Sequence, residues 1–133
     1  MKPKFRGKTI KGIWVSGFVS VVTDKRAGVE PGTYISNSVG VPFAYEVIPE
    51  TIGQSTGLKD KNGVEIFEGD IVKNTHNQKI RRVFWNPNRT AFELSEVGHE
   101  SSRTEYWSLS NPKWSYEIIG NVRDTPELLE GKE

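Results

Sequence analysis

Gln54-Ser55-Thr56-Gly57-Leu58-Lys59-Asp60-Lys61-Asn62-Gly63-Val64-Glu65-Ile66-Phe67-Glu68-Gly69-Asp70-Ile71-Val72-Lys73 sets two turn signals between short apolar runs. Asn62-Gly63 is the dipeptide that most readily accepts positive φ in a tight hairpin turn. Val64 to Phe67 then reads as a short strand, with β-branched residues at the alternate positions 64 and 66. Glu68-Gly69-Asp70 interrupts the apolar run: Gly69 is free to take a conformation closed to other residues, and Asp70 is placed to accept from nearby backbone amides. Ile71-Val72 opens a second strand, which Lys73-Asn74 is expected to release to solvent. The carboxylates Asp60, Glu65, Glu68 and Asp70 do not make a calcium loop, because the glycine follows the first Asp by three residues rather than five. Turn chemistry accounts for them.

Outward from this stretch the chain reads as β throughout. Thr9 to Val22 suggests two short strands or one bent strand, with Gly12 and Gly17 at the bends. Asp24 to Pro42 is rich in turn residues and reads as a loop with a short strand near Thr33-Tyr34-Ile35. Phe43 to Ile48 alternates, with Phe43, Tyr45 and Val47 on one face, and Pro49-Glu50 is expected to break it. Ile80 to Trp85 and Ala91 to Leu94 flank the hairpin loop Asn86-Pro87-Asn88-Arg89-Thr90. Thr104 to Leu109 and Ser115 to Val122 complete the strands. The expected core includes Phe92, Leu94, Tyr116, Ile118 and Val122. Asp124-Thr125-Pro126-Glu127 offers an Asp cap with Glu three residues on and Pro in the first turn, so a short helical turn should follow and dock through Leu128 and Leu129. This spacing of short strands points to a small barrel rather than a βαβ unit.

Ser55 to Val72 resembles the core motif of the YopX protein family, small proteins encoded by phages and prophages. A second resemblance runs through Tyr116-Glu117-Ile118-Ile119-Gly120-Asn121-Val122 and Asp124-Thr125-Pro126-Glu127-Leu128-Leu129, and a weaker one lies in Lys4-Phe5-Arg6-Gly7. The segments Ser20 to Glu46 and Thr75 to Lys113 carry no matching motif. The resemblance implies an SH3-type β-barrel in the C-terminal part and a viral or prophage origin; it implies no activity. The fold expected is therefore mainly β, with a β-rich, irregular N-terminal lobe over 1–50, an SH3-type barrel over 51–133 and a short C-terminal helical turn. One continuous compact domain is the alternative.

Composition bounds the function classes. The 133 residues carry a formal net charge of +1, so no global field draws the chain to nucleic acid or to an anionic membrane. The charge is unevenly placed: residues 1–50 hold seven Lys and Arg against four acids, and 51–133 hold eleven against thirteen. Lys2, Lys4, Arg6, Lys8 and Lys11 form a run without an acid, which reads first as a solvated edge or arm, since lysine on an edge strand blocks unwanted pairing. The absence of cysteine removes disulfides, thiol chemistry and thiolate metal sites. No signal peptide or membrane span is legible, because Ile13 to Val22 is too short and is interrupted by serine and glycine. A cytoplasmic location in a bacterial host is expected, with no cofactor and no membrane partner.

Two constellations stand out. Lys79, Arg81, Arg82, Trp85 and Arg89 interleave cations with an aromatic on one hairpin, a pattern suited to single-stranded nucleic acid. Alternation puts Lys79, Arg81, Val83 and Trp85 on one face; the competing reading is that Trp85 fills the barrel while Arg81 reaches past it into water. Tyr106, Trp107, Trp114 and Tyr116 supply aromatics around Asn111-Pro112-Lys113, as in grooves that bind proline-rich segments; their competing reading is core filling. Enzymatic patterns are weak. His76 and His99 sit in polar loops, Glu65, Glu68, Asp70 and Glu93 have no pairing supported by spacing, and no phosphate loop, nucleophile elbow or dinucleotide fingerprint occurs. The expectation is a non-enzymatic protein-interaction module with a phage or host protein partner, self-association being a further option; the alternative is a nucleic-acid binder using the basic hairpin and the basic N-terminal arm.

Overall fold

The computed structural model describes residues 4–25, 27–37, 44–96, 106–109 and 113–129. The strands are β1 (Phe5–Thr9), β2 (Trp14–Val22), β3 (Gly32–Ser36), β4 (Ala44–Lys59), β5 (Glu65–Phe67), β6 (Asp70–Asn74), β7 (Ile80–Asn86), β8 (Ala91–Glu96), β9 (Tyr106–Ser108) and β10 (Tyr116–Asn121). A 3-10 turn, Pro126–Leu129, follows. The chain is mainly β, in two antiparallel sheets, and divides into units Met1–Ser55 and Thr56–Glu133.

In the first unit β1 pairs with β2, β2 with β3 and β3 with β4, and β1 also pairs with β4. The pairings thus return on themselves, a more regular arrangement than the irregular lobe expected from the Gly- and Pro-rich composition. Gly7 explains how so small a ring closes. It is buried, and a Cβ there would stand 3.0 Å from Ile35 Cδ1 and 3.1 Å from Val47 Cβ. The missing side chain leaves room for Ile35 and Val47, which are buried inside.

Pro49-Glu50 does not break the strand. β4 runs through them for 16 residues, and the interruption is absorbed as a register shift: Lys8 faces Ile48 while Arg6 faces Gly53. Proline is tolerated at such a bulge because its missing N–H falls where the ladder is already open. Thr51 repairs the gap, its hydroxyl accepting from Lys8 N at 2.8 Å and donating to Ile48 O at 2.6 Å.

In the second unit β5 pairs with β4, and β10-β6-β7-β8-β9 form a sheet in that order. The core is Ile66, Val72, Val83, Leu94, Leu109 and Tyr116, with Leu58, Phe92, Trp114 and Ile118 packed against it. Two buried carboxylates hold the turns around β5. Asp60 Oδ1 accepts from Asn62 N at 2.8 Å and Val64 N at 2.9 Å, and its Oδ2 accepts from Ile118 N at 3.1 Å. Burial pushes its carboxyl up, but the three amides, with help from Lys61, outweigh that and hold it below the ordinary 3.8. Asp70 Oδ2 accepts from Phe67 N at 2.8 Å, bracing the turn in which Gly69 takes φ 95°. Asn74 is not released to solvent: it is 1 % exposed, because its side chain caps the following turn through His76 N at 2.7 Å and Asn77 N at 3.2 Å.

The C-terminal turn forms, and the bend that leads into it is held by Asn121 and Thr125. The Asn121 side chain accepts from Arg123 N at 2.9 Å and Asp124 N at 2.8 Å, and the Thr125 hydroxyl accepts from Asn121 N at 3.0 Å. Leu128 docks over Gly120, where a Cβ would come within 2.9 Å of Leu128 Cδ1.

Candidate functional site

The hairpin of β7 and β8 decides which of the basic residues face outward. Register pairs Arg82 with Ser95, Val83 with Leu94 and Trp85 with Phe92. The face carrying Val83 and Leu94 is the core, and Arg81 lies on it, 6 % exposed. Its guanidinium acts on the Tyr116 phenol, which also hydrogen-bonds the Asn74 side chain; burial nevertheless dominates and raises that phenol above the ordinary 10.0. Trp85 lies further along the same face, where it leaves the core and is 41 % exposed, its ring edge-on to Phe92 at 5.0 Å. The alternation was legible, but the depth of each residue is the reverse of the competing reading: the arginine is inside and the tryptophan is at the rim. The other face is covered too, since Asn86, Glu93 and Ser95 are buried. Arg82 is half-buried and Lys79 exposed. Arg89 is exposed and pairs through Nε with Glu93 at 2.7 Å, while Asn86 Nδ2 donates to the other Glu93 oxygen at 3.0 Å. The five residues Lys79, Arg81, Arg82, Trp85 and Arg89 are therefore spread over two faces and two loops.

The aromatic set divides differently. Tyr116 is buried in the core beside Asn74 and cannot line an open groove. Trp114 is half-buried, with one side against the core. His76 stands edge-on to its ring at 5.4 Å, and Lys113 Nζ lies 5.8 Å from the ring centroid. The strand β9 pairs Tyr106 with Ser95 and Trp107 with Leu94; their side chains, like His99, lie outside the described residues. The neighbour that sequence reasoning missed is His76, brought to Trp114 because Asn74 turns the chain and Thr75 N donates to Ser115 O at 3.0 Å. An Asn followed by a short polar loop between two strands was the available signal.

Of the carboxylates Glu65, Glu68, Asp70 and Glu93, Asp70 and Glu93 are buried, Asp70 bracing the turn before β6 and Glu93 holding Asn86 and Arg89. Among the described residues no group of three or more His, Asp or Glu is placed to hold a metal ion, and no helix is long and apolar enough to cross a membrane.

No curated protein matches the chain. One solved structure, protein EF1440 from Enterococcus faecalis, is similar at 27 % identity, with 97 % of this chain and 99 % of that one covered and a TM-score of 0.45. The model of the family described as YopX protein matches residues 4–130. With its Asp60–Gly63 and Gly69–Asp70 turns inside that span, and nearly its whole length matched, the chain belongs to the YopX protein family.

Proposed function

We propose that this chain is a phage- or prophage-encoded protein-interaction module, acting by binding rather than catalysis inside the bacterial host cell. The second unit, in this reading, is an SH3-type barrel. The meander β6-β7-β8-β9, with β10 returning to β6, supports that topology, and Lys61 N donating to Tyr116 O at 2.8 Å continues it past β10.

The observation that carries the proposal is Trp114. Its ring is anchored on one side by the core and offers its remaining surface between His76 and Lys113. A large aromatic already fixed in place loses little conformational freedom when a partner covers it, which is what makes tryptophan a recurrent anchor at interfaces. An extended segment of a phage or host protein, with an apolar residue for the indole, fits this surface.

Selection of displayed peptides on the immobilised chain, followed by calorimetric titration of an enriched peptide, tests it. Trp114→Ala should weaken that peptide at least 30-fold, the size expected of an interface anchor (about 2 kcal/mol). Equal affinity for both proteins, or no enriched sequence, refutes the reading.

A further inference from the structure

We infer that the far half of β2, from Phe18 to Val22, is a sheet edge that pairs antiparallel with the same segment of a second copy of this chain, making a two-fold dimer. This edge is in the first unit and is independent of the Trp114 surface.

The register leaves the edge open. β1 lies beside β2 only as far as the pair of Phe5 with Gly17, whereas β3 runs along β2 from Phe18 to Val22. Past Gly17, therefore, β2 has β3 on one side and, among the described residues, no strand on the other. Every second residue of that stretch turns its N–H and C=O away from β3. The start of the chain is poorly made to take them up. Lys4 directs its carbonyl to the opposite side, where it accepts from Ser55 N at 2.7 Å. Pro3, which would come next against Val19, has no N–H with which to carry the β1 ladder on. The side chains agree with an uncovered edge. Val21 is 67 % exposed, more than any other large apolar side chain in a described strand, and Phe18 is 45 % exposed.

An edge of this kind is ordinarily guarded by charge, by proline or by a bulge. β1 carries Arg6 and Lys8 and β4 carries Pro49, but β2 has neither a charge nor a proline from Trp14 to Val22. The segment is instead complementary to itself. A two-fold axis at Val21 sets Val21 against Val21, Ser20 against Val22 and Val19 against Thr23. Every one of these pairs is uncharged, and the valines are β-branched, as cross-strand neighbours prefer. That register begins at Val19, past the position of Lys4 beside Phe18, so β1 stays where it is. At the other end β2 stops at Val22 and the chain bends at Asp24, before it would run into β1 of the other copy. The arrangement closes on two chains, as an isologous contact must. A foreign strand would meet the same backbone groups, but along Val19 to Val22 only Ser20 is polar, so nothing there selects one. A second copy is therefore the occupant assigned.

The test is sedimentation equilibrium of the full chain from about 5 to about 500 µM, a range set by the small area that one pair of short strands buries. The average mass should rise from that of one chain toward that of two, and no further. Val21→Lys and Val21→Glu, each at an exposed site, should each weaken association about tenfold or more, because like charges then stand opposite one another across the axis. An equimolar mixture of the two variants should associate about fivefold or more better than either alone. Val64→Lys, at an exposed apolar site of the second unit, should leave association unchanged. Circular dichroism and urea midpoints check that each variant folds. If a Val21 variant does not, hydrogen exchange of the wild type decides: amides between Phe18 and Val22 that face away from β3 should gain protection as concentration rises. The inference is overturned by folded Val21 variants that associate like the wild type, by a mixture no better than its components, or by association that runs on past the dimer. A wild type monomeric at about 500 µM also overturns it; rapid exchange of those amides would then leave the edge to a foreign strand, and slow exchange would give it to the first residues of the same chain.

Discussion

Replacing Asp60 tests the reading of the turn that precedes β5. Its two oxygens accept three backbone amides, two from the turn itself and one from Ile118, 58 residues further on. A hydrogen bond to a charged group contributes about 1.5–3 kcal/mol. The amides of Asn62 and Val64 lie at an exposed turn where water can replace the carboxylate, so their share sits at the low end. The Ile118 amide lies in β10 and has less recourse to water. Asp60→Ala should therefore cost about 3 kcal/mol, or roughly 10 °C in Tm for a chain of this size. Asp60→Asn keeps an acceptor for the turn but turns an NH2 group toward Ile118 N, and should cost about 2 kcal/mol. The sign of the pH dependence follows from the depressed carboxyl. Its folded value lies below the ordinary 3.8, so its contribution is fully present above pH 4 and is lost as pH falls through the folded value. Urea denaturation of wild type and Asp60→Asn from pH 7 to pH 2.5 measures this. The gap between them should be widest at neutrality and should narrow steadily below pH 4. A gap under about 0.5 kcal/mol at pH 7, or one that stays constant to pH 2.5, would falsify the account of Asp60 as a charged clasp.

Three further outcomes follow from the packing. Gly17→Ala puts a methyl onto the Ser36 carbonyl and 3.3 Å from Asn37 Cα; because the obstacle is backbone, it should lower stability by about 3 kcal/mol, read from the urea midpoint. Arg89→Ala leaves the buried Glu93 with Asn86 alone and should cost about 1 kcal/mol by the same assay. Burial raises the Tyr116 phenol above 10.0, so its stabilisation is intact below pH 10 and is lost as pH rises through the folded value. Tyr116→Phe should consequently shrink the alkaline loss of stability. It should not abolish it, because desolvation, with Glu46 and Glu30, also raises the Tyr34 phenol.

The turns were legible because their chemistry is local. Asn62-Gly63 and Gly69-Asp70 declare themselves by residue type, and Gly63 and Gly69 take φ 83° and 95° as such turns require. What escaped reading was set by distant partners. Pro49 breaks a strand on propensity alone, yet Thr51 and Lys8 span the gap from strands 43 residues apart. Asn74 looked like a strand end, and only the turn folding back on it and Tyr116 opposite bury it. On the β7–β8 hairpin, alternation assigned faces correctly, but how far each position lies from the end of the core separates Arg81 from Trp85. The bend before the C-terminal turn also went unread, because Asn121 and Thr125 hold it by accepting one another's neighbouring amides. Trp114 stands out in the sequence by residue type alone, whereas its neighbour His76 reaches it only because two loops meet.

The ring of pairings in the first unit bears on biosynthesis. Phe5 pairs with Gln54, so β1 leaves the ribosome well before its second partner exists, by some seconds at ordinary rates of about 5–20 residues per second. During that interval β1 and β2 form a hairpin with an open edge, the kind of template on which nascent chains associate wrongly. Arg6 and Lys8 on that strand, with Lys4 just before it, repel an identical chain emerging from a neighbouring ribosome. The basic run therefore protects the nascent chain during synthesis, before β4 arrives to cover the edge.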